Sequence, residues 1–524
     1  MNDTEYTTRL KENFGFFGLG ALVYSCFYAF CMFRNPSGIT FPFFITGSLL
    51  FLCLCLSKLG ITLRKGSSFY MVSMMLLAVS TFCTDDIRII NLNKLGIFLL
   101  VLSLLLNQFY DTSDWQLGKY MSSIVKVMFC SISKLGRPFQ DGNHFCKTYV
   151  KGKSSKAFYV VIGFVVSLPL FVVIFLLLFS ADAVFRQMSR RLLEDIDFGD
   201  IFQNVCMIAC MFFAVYCILA FLCEKSISGE VKDNRKGEPI LAITVTGMLT
   251  VLYLVFSVIQ IVYLFLGQMQ LPTGYTYAEY AREGFFQLLA VSVLNLIIVL
   301  AALAFFRESK VLQAVLTVMS LCTFIMIASS ALRMVIYIQY YYLTFQRIFV
   351  LWSLVVLTLM FGGVIVSIFR QRFPLFRYCC VAVTCCYIVL SFSHPDYWIA
   401  RINMANVNRK EQGGGFFKGE AYRDLSYLSF LSADAAPVLV PWLAQWQDDP
   451  QGISGEIPYA EQAQVYQPID AQIGDYDSRV DGNTPEYIRR MERQNEKYDG
   501  LRQFNVSRFM AGLQLERLEE LARE

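Results

Sequence analysis

Charge is scarce in this chain. Lys, Arg, Asp and Glu make up 16% of its 524 residues, against about 25% in an average soluble protein. Histidine is scarcer still: His144 and His394 are the only two, so no histidine cluster can hold a metal. None of the 16 cysteines lies beyond Cys386, which leaves the last part of the chain without a thiol or disulfide. Walker A loops, dinucleotide glycine fingerprints, kinase signatures and serine elbows are all missing, so the common nucleotide and hydrolase chemistries have no motif to rest on. No basic patch interleaved with aromatics occurs either, which removes nucleic acid as a partner. What is abundant is apolar: 56% hydrophobic and 15% aromatic residues, with a mean hydropathy of +0.49. One water-soluble core cannot hide that much, because soluble domains divide once cores reach a limiting size. The chain reads as a membrane protein.

Charge is also unevenly placed. Residues 1–393 hold 31 Lys and Arg against 20 Asp and Glu, whereas residues 394–524 hold 14 against 21. A basic membrane part therefore precedes an acidic polar tail. A bilayer core of about 30 Å takes about 20 mostly apolar residues per helix, and eleven stretches qualify. They run 14–33, 41–57, 69–83, 95–110, 157–180, 201–223, 240–266, 285–306, 311–338, 348–369 and 376–393. The second and third are short, and the fourth is bounded by Asn93 and Asp111. No small-residue cleavage spacing follows the first span, which reads as a retained anchor. The expected fold is all-α: a polytopic transmembrane helix bundle of about 11 spans, with a small, mostly helical polar C-terminal domain.

Orientation follows from the loops, since those rich in Lys and Arg stay cytoplasmic. With the N-terminus inside, the inner segments carry 22 Lys and Arg and the outer segments 8. The basic loop 111–156 is then cytoplasmic and residues 394–524 are extracytoplasmic. Within that loop Leu117, Met121, Ile124, Met128, Ile132 and Leu135 recur every three or four residues, with Lys119, Lys126 and Lys134 off the stripe. Two placements fit: a helix in the inner headgroup layer, or one packed on the underside of the bundle.

Charge in or beside a span is costly and points to function. On the outer side fall Asp85, Asp86 and Arg88; Asp182 and Arg186; Glu279, Arg282 and Glu283; and Arg347, with Arg333 inside the ninth span. The candidate binding set is Asp182, Glu279, Arg282, Arg333 and Arg347, arranged as an outward polar pocket. Arg333 is the sharpest of these, because a guanidinium at that depth needs a carboxylate or a carbonyl cage, and Asp182 is the first candidate partner. The plainer alternative is structural ion pairing, including Glu279 with Arg282 three residues on. Gln260 and Asn295 read as interhelical hydrogen-bond glue.

Metal, cofactor and redox chemistry find no support. Cys379-Cys380 and Cys385-Cys386 fall inside an apolar span without CxxC spacing. Asp475 to Asn483 is similar to an acidic calcium loop, yet Arg479 occupies a ligand position and the sixth position has no glycine. Asn505-Val-Ser507 matches a glycosylation sequon and equally a helix cap. In the tail, Ala421–Leu431 and Ala435–Gln447 read as short helices, Thr484-Pro485-Glu486 as a helix start that runs to Gly500, and Asn505 onward as a last helix with Leu513, Leu515, Leu518 and Leu521.

Three stretches carry a resemblance: Leu271-Pro-Thr-Gly-Tyr-Thr-Tyr-Ala-Glu-Tyr-Ala-Arg-Glu-Gly-Phe-Phe286, Tyr341-Tyr-Leu-Thr-Phe-Gln-Arg347, and His394-Pro-Asp-Tyr-Trp-Ile-Ala-Arg-Ile-Asn403. The last is continued by Asp424-Leu-Ser-Tyr-Leu428 and Leu431-Ser-Ala-Asp-Ala-Ala-Pro437, and Phe504-Asn-Val-Ser-Arg508 resembles a closing motif. Together they resemble a family of bacterial multi-pass membrane proteins, domain of unknown function 4173, with a sister group numbered 4153. His394 stands where that pattern has asparagine. The resemblance implies architecture and a bacterial cytoplasmic membrane; it carries no activity.

Two functional readings lead. One is small-solute transport through the outward pocket; the other is sensing or scaffolding in the envelope through the tail. The implied partners are the lipid bilayer and an envelope protein or small solute, with no cofactor. The alternative is a membrane-embedded transferase acting on a lipid-linked substrate, for which only Asp85 and Asp86 offer an outer-loop base. The balance favours a protein that is not an enzyme.

Overall fold

Runs of Leu, Phe, Val and Ile give a backbone in lipid nothing outside itself to bond with, so each crossing segment satisfies its N–H and C=O groups internally as a helix. The computed structural model of the protein describes residues 5–112, 115, 117–149, 198–227, 235–262, 277–370, 373–407, 425–448, 486–497 and 500–523, with scattered residues between 163 and 185. Among the described residues every regular element is a helix. A short α1 (Glu5–Glu12) precedes α2 (Phe14–Met32), α3 (Thr40–Leu59), α4 (Ser67–Cys83), α5 (Ile87–Phe109), α6 (Leu117–Cys130) and α7 (Arg137–Tyr149). Then come α8 (Phe198–Cys223), α9 (Pro239–Gln260), α10 (Tyr277–Phe305), α11 (Lys310–Tyr341), α12 (Phe345–Phe369) and α13 (Leu375–Phe392).

Nine of these helices are long and apolar enough to cross a membrane: α2, α3, α5 and α8 to α13. Each corresponds to an expected span. α4 is apolar but shorter, at 17 residues, and the span expected at 157–180 lies almost wholly outside the described residues. α5 begins at Ile87 rather than 95, because Asn93 does not interrupt it. The Asn93 side chain is buried, donating to Thr81 Oγ1 at 3.0 Å and accepting from Tyr387 and Ser391 at 2.7 Å each, so α4, α5 and α13 share one satisfied polar knot.

Two compact units divide the chain. One comprises Met1–Val79 and Lys94–Val231; the other comprises Ser80–Asn93 and Lys232–Glu524. In the first unit α3 ends at Gly60, whose φ of +77° suits glycine, with the Ile61 N–H returning to Leu56 O at 2.9 Å. Arg9 lies against Gly60 and donates to Leu59 O at 2.8 Å, so a side chain at 60 would collide with it. Arg64 donates to Tyr110 O at 2.8 Å, Arg34 pairs with Asp200 at 2.5 Å, and Glu224 pairs with Lys134 at 2.5 Å and with Arg137. In the basic loop, α6 has two apolar faces. Tyr120, Ile124 and Val127 are buried, and α6 packs on α8, while Met121, Val125 and Phe129 form a second, exposed apolar stripe.

In the second unit α9 to α12 pack around a core that includes Phe285, Leu316, Met319, Phe361 and Val364. Asn295 donates to Thr323 Oγ1 at 3.0 Å and Gln260 accepts from Ser329 at 2.6 Å, the interhelical role expected of both. The polar tail contributes α14 (Pro395–Val407), a turn of helix at Leu425–Leu428, α15 (Ala436–Asp448), α16 (Glu486–Lys497) and α17 (Val506–Arg523). α15, α16 and α17 correspond to expected helices; α14 was not expected, and of the helix expected at Ala421–Leu431 only Leu425–Leu428 is helical among the described residues. Residues 421–424, the acidic stretch 475–483 and the loops at 413–415 and 449–455 lie outside the described residues. Ile399, Leu431, Leu439, Val440, Tyr487, Met491 and Leu515 give the tail a core of its own, with Leu343, Phe345 and Ile348 packed against it.

Candidate functional site

Only Thr84, Asp85 and Asp86 separate α4 from α5, and the tail folds directly onto them. Asp86 is the N-cap of α5: its Oδ1 accepts the Arg88 N–H at 2.9 Å. The Arg88 side chain turns back on it, with Nε 2.8 Å from Oδ1 and Nη2 2.9 Å from Oδ2. The same Nη2 reaches Asp396 Oδ1 at 2.5 Å, in the first turn of α14. Asp396 Oδ2 accepts the Ser432 N–H at 2.9 Å, and the Phe345 ring lies 4.0 Å under the guanidinium. One arginine thus serves two buried carboxylates, leaving that cluster net negative when all are ionised. Burial, and then the neighbouring Asp396 charge, push the Asp86 carboxyl up to about 6 against the pull of Arg88.

Asp434, on a single 3-10 turn before α15, is the second centre. It accepts from Thr84 Oγ1 at 2.5 Å, from the Asp85 N–H at 2.8 Å and from the Ser507 hydroxyl, and its Oδ2 lies 3.1 Å from His394 Nδ1. Burial opposes that charge, but the hydrogen bond and charge of His394, with those of Ser507 and Thr84, hold Asp434 below the usual carboxylate range. The same bond raises His394 above its ordinary value despite partial burial. His394 has a φ of +46°. Asparagine is at home in that left-handed region, so a backbone requirement accounts for both the expected asparagine and the tolerated histidine.

The closing run Phe504 to Arg508 completes the cluster. Asn505 Oδ1 accepts the Ser507 and Arg508 N–H groups at 3.0 and 3.3 Å, so it is the N-cap of α17. Its Nδ2 donates to Thr84 O at 2.9 Å and lies 3.5 Å from Thr81 O, so it also closes the end of α4. A side chain buried in this way fits the cap and not the glycosylation reading. Arg508 Nε meets Asp85 Oδ1 at 2.7 Å, although burial still leaves the Asp85 carboxyl above its ordinary value. Asp85, Asp86, Asp396 and Asp434 are each held by donors, so this is an electrostatic latch, with no carboxylate presented as an open base.

The five residues singled out from sequence are placed differently. Asp182 is exposed and in the first unit, where its Oδ1 accepts the Phe185 N–H at 2.6 Å. Glu279 and Arg282 lie in the first turns of α10, with side chains outside the described residues. Arg333 is buried in α11 and rests on Gly284: a Cβ there would lie 1.8 Å from its Nη1. Arg347 donates to Tyr342 O and stacks 4.5 Å from the Tyr337 ring centre. Asp396, Asp434, Ser507 and Arg508 lie within the stretches that carry the family resemblance but outside the candidate binding set. Their signal was a run of polar residues inside otherwise apolar tail segments.

No curated protein and no solved structure matches the chain. The sequence profile described as Domain of unknown function (DUF4153) matches residues 71–441. That match, the sister group of the two the motifs resemble, begins in α4 and runs through the 84–86 loop, the spans and Asp434 into α15. The chain belongs to the DUF4153 family of proteins, whose domain has no known function.

Proposed function

We propose that this membrane protein works as a sensing or scaffolding module of the bacterial envelope, with its polar tail latched on the outer end of the helix bundle. The observation that carries this reading is the Asp434 carboxylate, which takes donors from the 84–86 loop, from His394 and from Ser507. A tail held by buried charge is built to stay fixed to the spans and transmit strain between them. The orientation rests on the 22 to 8 division of loop Lys and Arg. Polar contacts support the span count on which it depends: Arg34–Asp200, Arg64–Tyr110, Arg137–Glu224 and Arg88–Asp396 each join segments assigned to one side. With the span expected at 157–180, an even number of crossings separates the members of every pair, as two loops at one face require.

The transferase reading has less support, because the two carboxylates of the 84–86 loop on which it rests, Asp85 and Asp86, are engaged by arginine. Transport has one specific observation in its favour, the buried Arg333 beside Gly284 at the entrance of α10. A strain lacking the gene separates the two readings by complementation. Trp398 and Arg401 are exposed on α14, the guanidinium 5.5 Å from the indole ring centre; the sensing account expects Arg333→Gln to complement, and Trp398→Ala with Arg401→Ala to fail, both at normal membrane abundance. The opposite pattern would support transport and overturn this account. A phosphatase fused after Glu524 is expected to be active, and a cytoplasm-dependent fluorescent protein at the same place dark.

A further inference from the structure

We propose that the segment Leu501 to Met510 is a lipid-facing anchor, seated in the headgroup and acyl boundary of the leaflet beside the 84–86 loop. Four observations meet there. First, α4 has 17 residues, about 25 Å of helix at 1.5 Å per residue, against a hydrocarbon core of about 30 Å. The missing length must be made up by thinning the bilayer or by other apolar surface.

Second, the tail supplies that surface at the right end of the helix. Asn505 is bonded to the last carbonyls of α4, and the Phe82 ring lies 6.0 Å from Phe504, which lies 5.5 Å from Phe509. An aromatic row therefore continues the apolar end of α4 into the tail. Third, this part of the tail is left uncovered by the described residues: Leu501 is 90% exposed, Phe509 50% and Met510 41%. Water is a poor neighbour for such a cluster, and its continuity with a lipid-facing helix selects the bilayer over a soluble partner.

Fourth, the local charge fits an anionic lipid surface. The tail as a whole is acidic, yet residues 501–514 contain no Asp or Glu; of their two arginines, Arg508 is engaged by Asp85 and Arg502 is partly exposed. The arrangement is that of a monotopic helix end, with apolar side chains in the boundary layer and no acidic side chain to oppose the headgroups.

The test uses the full-length protein reconstituted in vesicles of phosphatidylethanolamine and phosphatidylglycerol. A photoreactive p-benzoylphenylalanine replaces Phe509 or, separately, the highly exposed Leu501. Leu95, exposed on α5, serves as the lipid-facing control and Arg517, exposed on α17, as the water-facing one. After illumination, intact-mass analysis is expected to show phospholipid adducts at 509, 501 and 95 and none at 517. Adducts at 95 with none at 509 and 501, or cross-links from 509 to a second copy or another protein, would overturn the proposal.

Discussion

Arg88 Nη2 lies 2.5 Å from Asp396 Oδ1, tying the start of the helix after the 84–86 loop to the first helix of the tail across 308 residues of sequence. With the Asp434 centre and the Arg508–Asp85 pair, this contact makes the tail and the neighbouring span ends one folded piece. The consequences can be measured.

Removing the Asp434 carboxylate should be the most damaging single change in the tail. Asp434→Ala strands the Thr84 and Ser507 hydroxyls and the Asp85 N–H, and is expected to cost about 3 kcal/mol or more. Ser507→Ala removes one donor and is expected to cost about 1 kcal/mol. Unfolding midpoints in detergent, read with both variants side by side, give the order.

Stability should depend on pH with a definite sign. His394 has a raised folded value, so its contribution is complete below 6.5, its ordinary value, and is lost as pH rises through the folded one. Asp86, raised to about 6 from 3.8, also binds its proton more tightly when folded and adds to the loss as pH rises between those values. Asp434, held low, contributes above 3.8, its ordinary value, and fails only below that. The melting temperature is therefore expected to be higher at pH 5.5 than at pH 8. His394→Gln should flatten the upper part of that difference; an unchanged slope in the variant would contradict the assignment.

Asn505 caps two helices at once. Asn505→Ala should cost more than an ordinary N-cap loss of about 1 kcal/mol, because the Thr84 carbonyl loses its donor as well. Asn505→Asp keeps the α17 cap but gives up the donor to α4, so it should fall between the wild type and the alanine variant in thermal unfolding.

Gly284 and Arg333 should be coupled. A methyl group at 284 meets the guanidinium, so Gly284→Ala is expected to cost about 1–3 kcal/mol as overpacking. In an Arg333→Ala background the same change should cost clearly less. Additive effects in that cycle would show that the close approach is not maintained in the membrane.

Much of the fold was readable from sequence, because hydropathy over a 20-residue window reports the bilayer directly. Helix caps did the same for α16 and α17, where Thr484-Pro485 and Asn505 stand at or just before the starts. α5 begins eight residues before the expected span, since Asn93 looks like a span boundary until its partners are known. The latch was harder to see. Asp86 and Arg88 pair locally, but the tail partners of Arg88 and Asp85 lie 308 and 423 residues away, and no periodicity encodes such a pairing. Arg333 drew attention for its depth within a span. The carboxylates at helix ends gather more donors, because loop N–H groups and caps are available there.

The most direct test of the latch is a double-mutant cycle on Asp85 and Arg508, whose side chains meet at 2.7 Å. Asp85→Ala, Arg508→Ala and the double variant would be unfolded by titration with sodium dodecyl sulfate in mild detergent micelles. A latched tail predicts that the double variant is no less stable than the worse single variant, with a coupling of about 1.5 kcal/mol or more for this buried pair. Strictly additive losses would mean that the two residues do not meet in the folded protein, and the latch would have to be abandoned.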